Sequence, residues 1–112
     1  MVDRPVHNPG QTTAIKTGCG KIYVIDNTTS EYPELFVQIG KSGGCAQSFC
    51  QALARVASFA IRTGMKAGIP KEEMKERIIH AWKGIQCPSP TVSDGRKVLS
   101  CADAIAQVLE GL

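Results

Sequence analysis

Lys21-Ile22-Tyr23-Val24-Ile25 and Leu35-Phe36-Val37-Gln38-Ile39, separated by the polar run Asp26-Asn27-Thr28-Thr29-Ser30 and by Pro33, decide the fold. The first segment is rich in β-branched and aromatic residues, as strands are. In the second, Leu35, Val37 and Ile39 alternate with Phe36 and Gln38, the period of a half-buried strand. Two strands joined by a polar link form an antiparallel hairpin. A hairpin alone is only marginally stable in water, so its apolar face needs helical cover.

The cover follows downstream. A helix is expected from Gly44 or Cys45, with Ala46, Phe49, Leu53, Val56, Ala57 and Ala60 on the buried face. Gln47, Gln51, Arg55 and Arg62 mark its other face, and Gly64 is read as its stop. A second helix opens at Pro70, where a missing N–H does no harm, and Glu72 and Glu73 suit its positive end. Met74, Ile78 and Trp82 form its buried stripe and Gly84 ends it. Residues 86–97 read as loop. A last helix has Ser100 as N-cap and Asp103 three residues on, an approximate capping box, with Ile105, Val108 and Leu109 inward. Pro5, Pro9 and Gly10 make residues 1–14 a flexible arm. The expectation is an α+β domain over residues 15–112, an antiparallel hairpin packed against about three helices.

Composition narrows the function. A chain of 112 residues, 43% apolar, holds one modest core and no large catalytic barrel. Thirteen Lys and Arg against ten Asp and Glu give +3, far from the footprint of a dedicated nucleic-acid binder. Aromatic residues at 5% leave no stacking platform for single strands. The apolar stretch Cys45–Ile61 is broken by Gln47, Ser48, Gln51, Arg55 and Ser58, which argues against a membrane span. The N-terminal residues lack an apolar run of the secretory type, so the expected compartment is the cytoplasm.

Five cysteines, an odd number, argue against a simple disulfide scaffold. Cys19, Cys45, Cys87 and Cys101 fall at element boundaries, where side chains from distant segments converge, whereas Cys50 falls mid-helix. The spacing C-x25-C-x41-C-x13-C contains no C-x-x-C knuckle. Two readings therefore stand side by side: a four-thiolate zinc site, or small buried hydrophobes. For Cys50 the second is expected. A third makes Cys45 a nucleophile activated by a helix N-terminus, but His7 lies in the arm and His80 on another helix, so no base is in evidence.

Gly40-Lys41-Ser42-Gly43-Gly44-Cys45 is a glycine-rich link between strand and helix. Its backbone N–H groups suit an anion, helped by Lys41 and Ser42; the alternative is a tight turn that needs Gly43 or Gly44 for its backbone angles. The pattern is not a nucleotide-binding P-loop. Lys16, Lys21, Lys41 and Lys97 either surround the cysteine loops or are merely solvated, and Arg96 and Lys97 follow a Ser-Asp-Gly turn.

Four segments carry a resemblance: Ile15-Lys16-Thr17-Gly18-Cys19-Gly20-Lys21-Ile22-Tyr23-Val24, Gly40-Lys41-Ser42-Gly43-Gly44-Cys45-Ala46, Gly84-Ile85-Gln86-Cys87-Pro88-Ser89-Pro90 and Lys97-Val98-Leu99-Ser100-Cys101-Ala102-Asp103-Ala104-Ile105-Ala106. In this order they resemble the TSCPD domain, which occurs at the C-terminus of adenosylcobalamin-dependent ribonucleotide reductases and as small stand-alone proteins. The resemblance covers residues 14–110. Ala102 departs from it, standing where the family usually carries proline. It implies that Cys19, Cys45, Cys87 and Cys101 hold Zn²⁺, and it places the chain in nucleotide metabolism without supplying the reductase barrel, so no catalytic residue is assigned. The resulting expectation is a non-catalytic module that binds a nucleotide-type anion or a protein partner, through Lys41, Ser42, Gly43 and Gly44 with Ser89, Arg96 and Lys97, and that can form a homo-oligomer. The alternatives are a stand-alone viral or bacterial protein sequestering a phosphorylated nucleotide metabolite, and a thiol-redox protein.

Overall fold

Alternation in the N-terminal third builds a sheet one strand larger than the hairpin expected. In the computed structural model, which describes residues 3–39 and 44–111, β1 (Gln11–Thr17), β2 (Gly20–Asn27) and β3 (Glu34–Ile39) form an antiparallel sheet in sequence order. The register pairs Ile15 with Ile22 and Val24 with Val37, so Ile15, Ile22, Val24, Leu35, Val37 and Ile39 share one buried face. Residues 11–14, read as arm, are thus the first half of β1. The segment before them is tied down as well: Arg4 pairs with Glu34 at 3.0 Å, and Asn8 donates to Glu34 and to the Tyr32 carbonyl.

Three helices cover the buried face: α1 (Gly44–Lys66), α2 (Lys71–Trp82) and α3 (Cys101–Leu109). α1 packs along β3, α3 packs on β1 and β2, and α2 bridges the two helices. The core joins the sheet residues to Cys50, Ala54, Ala57, Ile79, Val98, Ala104, Ile105, Ala106, Val108 and Leu109. A second small sheet, β4 (Thr91–Ser93) with β5 (Arg96–Val98), occupies the stretch read as loop. Asp94 at φ 50° and Gly95 at φ 77° form its two-residue turn, the geometry that an Asp-Gly pair favours in hairpins. The domain is α+β as expected.

α1 is rotated relative to its sequence-based reading. Phe49 and Val56, expected inside, are 70% and 64% exposed, while Cys50, Ala54, Ala57, Ser58 and Ile61 are buried. Side chains reaching the edge of β3 set this rotation. Ser58 Oγ accepts from Leu35 N–H at 2.8 Å and donates to a backbone carbonyl, Gln47 accepts from Ile39 N–H at 2.7 Å, and Arg62 donates to the Pro33 carbonyl. Turning the phenylalanines inward would remove those partners from an edge strand that needs them.

α1 also runs past Gly64. Its end is set by Gly68 at φ +91°, with Ile69 N–H on the Gly64 carbonyl and Gly68 N–H on the Met65 carbonyl, the paired bonds of a Schellman motif. Gly64 is needed for closeness instead, since a β-carbon there would stand 2.5 Å from Met74 Cγ on α2. No helix among the described residues is long and apolar enough to cross a membrane.

Candidate metal centre

Thr17-Gly18-Cys19-Gly20 closes β1 onto β2 with a two-residue turn, so Cys19 stands at its tip. Thr17 Oγ1 orders the turn by donating to the Gly20 carbonyl at 2.8 Å and accepting from Cys19 N–H at 3.1 Å. Gly18 is pressed against the Cys87 loop: a β-carbon on it would lie 1.7 Å from the Ser89 carbonyl oxygen. Only glycine allows that approach.

Cys87 and Cys101 are brought together by a ladder between residues 84–87 and the start of α3. Gly84 N–H donates to Asp103 Oδ1, Ser100 Oγ donates to the Ile85 carbonyl, and Cys87 N–H donates to the Leu99 carbonyl. Ser100 caps α3 as expected, accepting from Asp103 N–H at 3.0 Å. Asp103 does not complete the reciprocal capping box. It is 3% exposed, and its second oxygen accepts from Leu99 N–H and Gln107. The carboxylate is the buckle of this corner.

Three separate chain segments therefore meet. Thr17 Oγ1 lies 3.6 Å from Cys101 Sγ, and Ser89 N–H donates to Cys87 Sγ at 3.4 Å. The thiols sense one another. The Cys101 thiol is drawn down to about 6, first by the hydrogen bond it receives from Cys50 and then by Thr17 and Cys19, against the opposing effect of burial. Cys50 is pushed up, because it holds its proton in that hydrogen bond and is buried beside the negative charges of Cys101 and Cys19. Partial desolvation raises Cys19, and the charges of Cys101 and Cys87 raise it further.

Cys45 stands apart from this group. It is exposed in the first turn of α1, whereas Cys50 is buried. Five residues of α-helix rotate a side chain by about 140°, so these two cysteines face away from each other. None of the five is in a disulfide. Sequence reasoning missed the place of Cys50 and Thr17 beside Cys101. The available signal was that Cys50 shares a helical face with Ala54, Ala57 and Ile61, the face that turns out to be buried.

The donor set suits a soft or borderline cation such as zinc: several sulfurs supplied by separate segments. Among the described residues, no three His, Cys, Asp or Glu side chains are spaced to hold an ion as they stand. A bound ion would therefore have to draw the sulfurs inward. Of the other predicted residues, Ser89 packs on Gly18, Arg96 and Lys97 are exposed on β5, and Lys41, Ser42 and Gly43 lie outside the described residues.

A thiol-rich α+β module is the class that this arrangement defines. A family model described as TSCPD domain matches residues 2–112, essentially the whole sequence. The chain belongs to the TSCPD domain family. Neither curated proteins nor solved structures give a match.

Proposed function

We propose that this chain is a non-catalytic accessory module, held together by one zinc ion, that serves nucleotide metabolism by binding a nucleotide-type anion or a protein. The observation that carries the metal reading is the meeting of Cys19, Cys87 and Cys101 from the β1–β2 turn, the loop after α2 and the start of α3. Those three supply thiolates, and α1 supplies the fourth. Cys45 is the α1 ligand by sequence pattern, while Cys50 is the α1 sulfur beside Cys101. When bound, zinc supplies a tetrahedral cross-link between these segments, and ligand binding is then also folding free energy.

The chain's own residues do the rest. Ser89 N–H donates to the Cys87 sulfur, Thr17 Oγ1 lies against the Cys101 sulfur, and Asp103 and Ser100 fix the corner that presents Cys87 and Cys101. The reading places the protein in the cytoplasm, whose reducing poise keeps thiols available. The nucleotide-metabolism part rests on family context together with Arg96 and Lys97 exposed on the same side hairpin. Elemental analysis of protein purified without chelator tests the metal, with one zinc per chain expected and none overturning it. Titration calorimetry against a nucleotide panel tests the anion, and absence of heat for every member removes that half of the proposal.

A further inference from the structure

α1 lies along β3 without closing on it completely. A groove of about 520 Å³ remains between the two, within the range of small-molecule sites. The outward edge of β3 forms part of its wall. Alternate residues of an antiparallel strand turn their amides toward the partner, so on β3 residues 35, 37 and 39 turn theirs away from β2. α1 serves the first and last of these: Ser58 accepts from Leu35 N–H, and Gln47 accepts from Ile39 N–H. Val37 between them lines the groove, and among the described residues its N–H and carbonyl bond to nothing on α1. The ladder from helix to strand lacks its middle rung.

That gap limits what can enter. One free residue on a strand edge offers a donor and an acceptor side by side. An extended peptide pairing there would next need the amides of Leu35 and Ile39, which are taken. A ligand one rung long remains, a planar group with an acceptor beside a donor, as on the Watson–Crick edge of a nucleobase. Ile25, Phe36 and Ala54 add the apolar lining that the faces of such a ring require.

Charge selects further. α1 contains no Asp or Glu, and Glu34, the acid that lines the groove, is already bonded to Arg4 and Asn8. Arg62 is committed to the Pro33 carbonyl and lies over the Tyr32 ring. Arg55 is exposed, lines the same groove, and among the described residues has neither an ion pair nor a hydrogen bond from its side chain. A guanidinium so placed suits a phosphate.

We infer that the groove between β3 and α1 binds a nucleoside monophosphate, the base edge on the Val37 N–H and carbonyl and the phosphate on Arg55. The inference rests on the nucleotide half of the proposed function, and gives that ligand this groove rather than Arg96 and Lys97.

The full chain, isotope-labelled for NMR, is titrated with AMP, GMP, CMP and UMP, with the matching nucleosides, and with inorganic phosphate alone. Saturable binding of at least one monophosphate is expected, with the Val37 amide shifted and its hydrogen exchange slowed. Loss of a charge-assisted hydrogen bond weakens binding about tenfold or more, so the matching nucleoside binds more weakly by that factor. Arg55→Gln, at an exposed position, weakens the monophosphate to the same degree and leaves the nucleoside unchanged. Monophosphate binding that leaves Val37 unmoved, or that Arg55→Gln does not weaken, overturns this site. If the shifts then fall at Arg96 and Lys97, the wider nucleotide reading survives the loss of the groove. Binding by no nucleotide overturns both.

Discussion

Thr17 Oγ1 at the end of β1 lies 3.6 Å from Cys101 Sγ at the start of α3, and Cys101 in turn packs against the core that holds Cys50 of α1. Three of the thiols assembled there follow the family pattern, and the fourth does not. A direct comparison of the two α1 cysteines resolves which one serves the metal. Cys19→Ser, Cys87→Ser and Cys101→Ser are each expected to reduce zinc content well below one per chain. Between Cys45→Ser and Cys50→Ser, one lowers zinc content and the other leaves it intact, as measured by elemental analysis on folded protein.

Without metal, the corner responds to pH. The Cys101 thiol sits at about 6 in the folded chain against an ordinary 9.0, so folding favours its thiolate. A depressed value contributes stability in full above pH 9, progressively less as pH falls, and none below about 6. Cys50 and Cys19 are raised, and so contribute no slope below pH 9. The chelator-treated protein is therefore expected to melt lower at pH 5.5 than at pH 8, by calorimetry, and Cys101→Ser removes the difference. Alkylation at pH 7 falls first on Cys101, as peptide mapping reads.

Gly18→Ala tests the contact between the β1–β2 turn and the Cys87 loop. The new methyl would meet backbone, the Ser89 carbonyl, at 1.7 Å, and a backbone group cannot step aside as a side-chain tip can. Overpacking of this kind costs about 1–3 kcal/mol. The expected result is a lower denaturant midpoint with weaker zinc retention, whereas Gly95→Ala, with open space around it, leaves zinc retention alone.

Ser58→Ala removes the hydroxyl that serves Leu35 N–H in a buried setting. A buried donor left without a partner costs about 1–3 kcal/mol. Equilibrium unfolding in urea should show that loss, and hydrogen exchange should show faster opening at Leu35.

The β2–β3 pair and the capped α3 were legible in the sequence because their signals are local, whereas β1 was not, its first half having the prolines and glycine of an arm just before it. Alternation at Leu35, Val37 and Ile39, and Ser100 three residues before Asp103, depend on nothing distant. The face of α1 was not legible. Two apolar stripes compete on that helix, and burial goes to the smaller residues because Ser58, Gln47 and Arg62 must reach β3. Gly64 misled for a related reason: its lack of a side chain serves Met74 across a helix pair rather than the end of its own helix. The position of Cys50 beside Cys101 followed from the same rotation. The β4–β5 hairpin announced itself only through Asp94-Gly95, a turn signal flanked by strands of three residues each.

The bonds from α1 to Leu35, Ile39 and Pro33 reach beyond the monomer's own stability. A strand with the outward amides of Leu35 and Ile39 already taken offers a poorer template for another chain to zip onto. Continuous cross-molecule sheet growth, the usual road to fibrils, is obstructed along that rim.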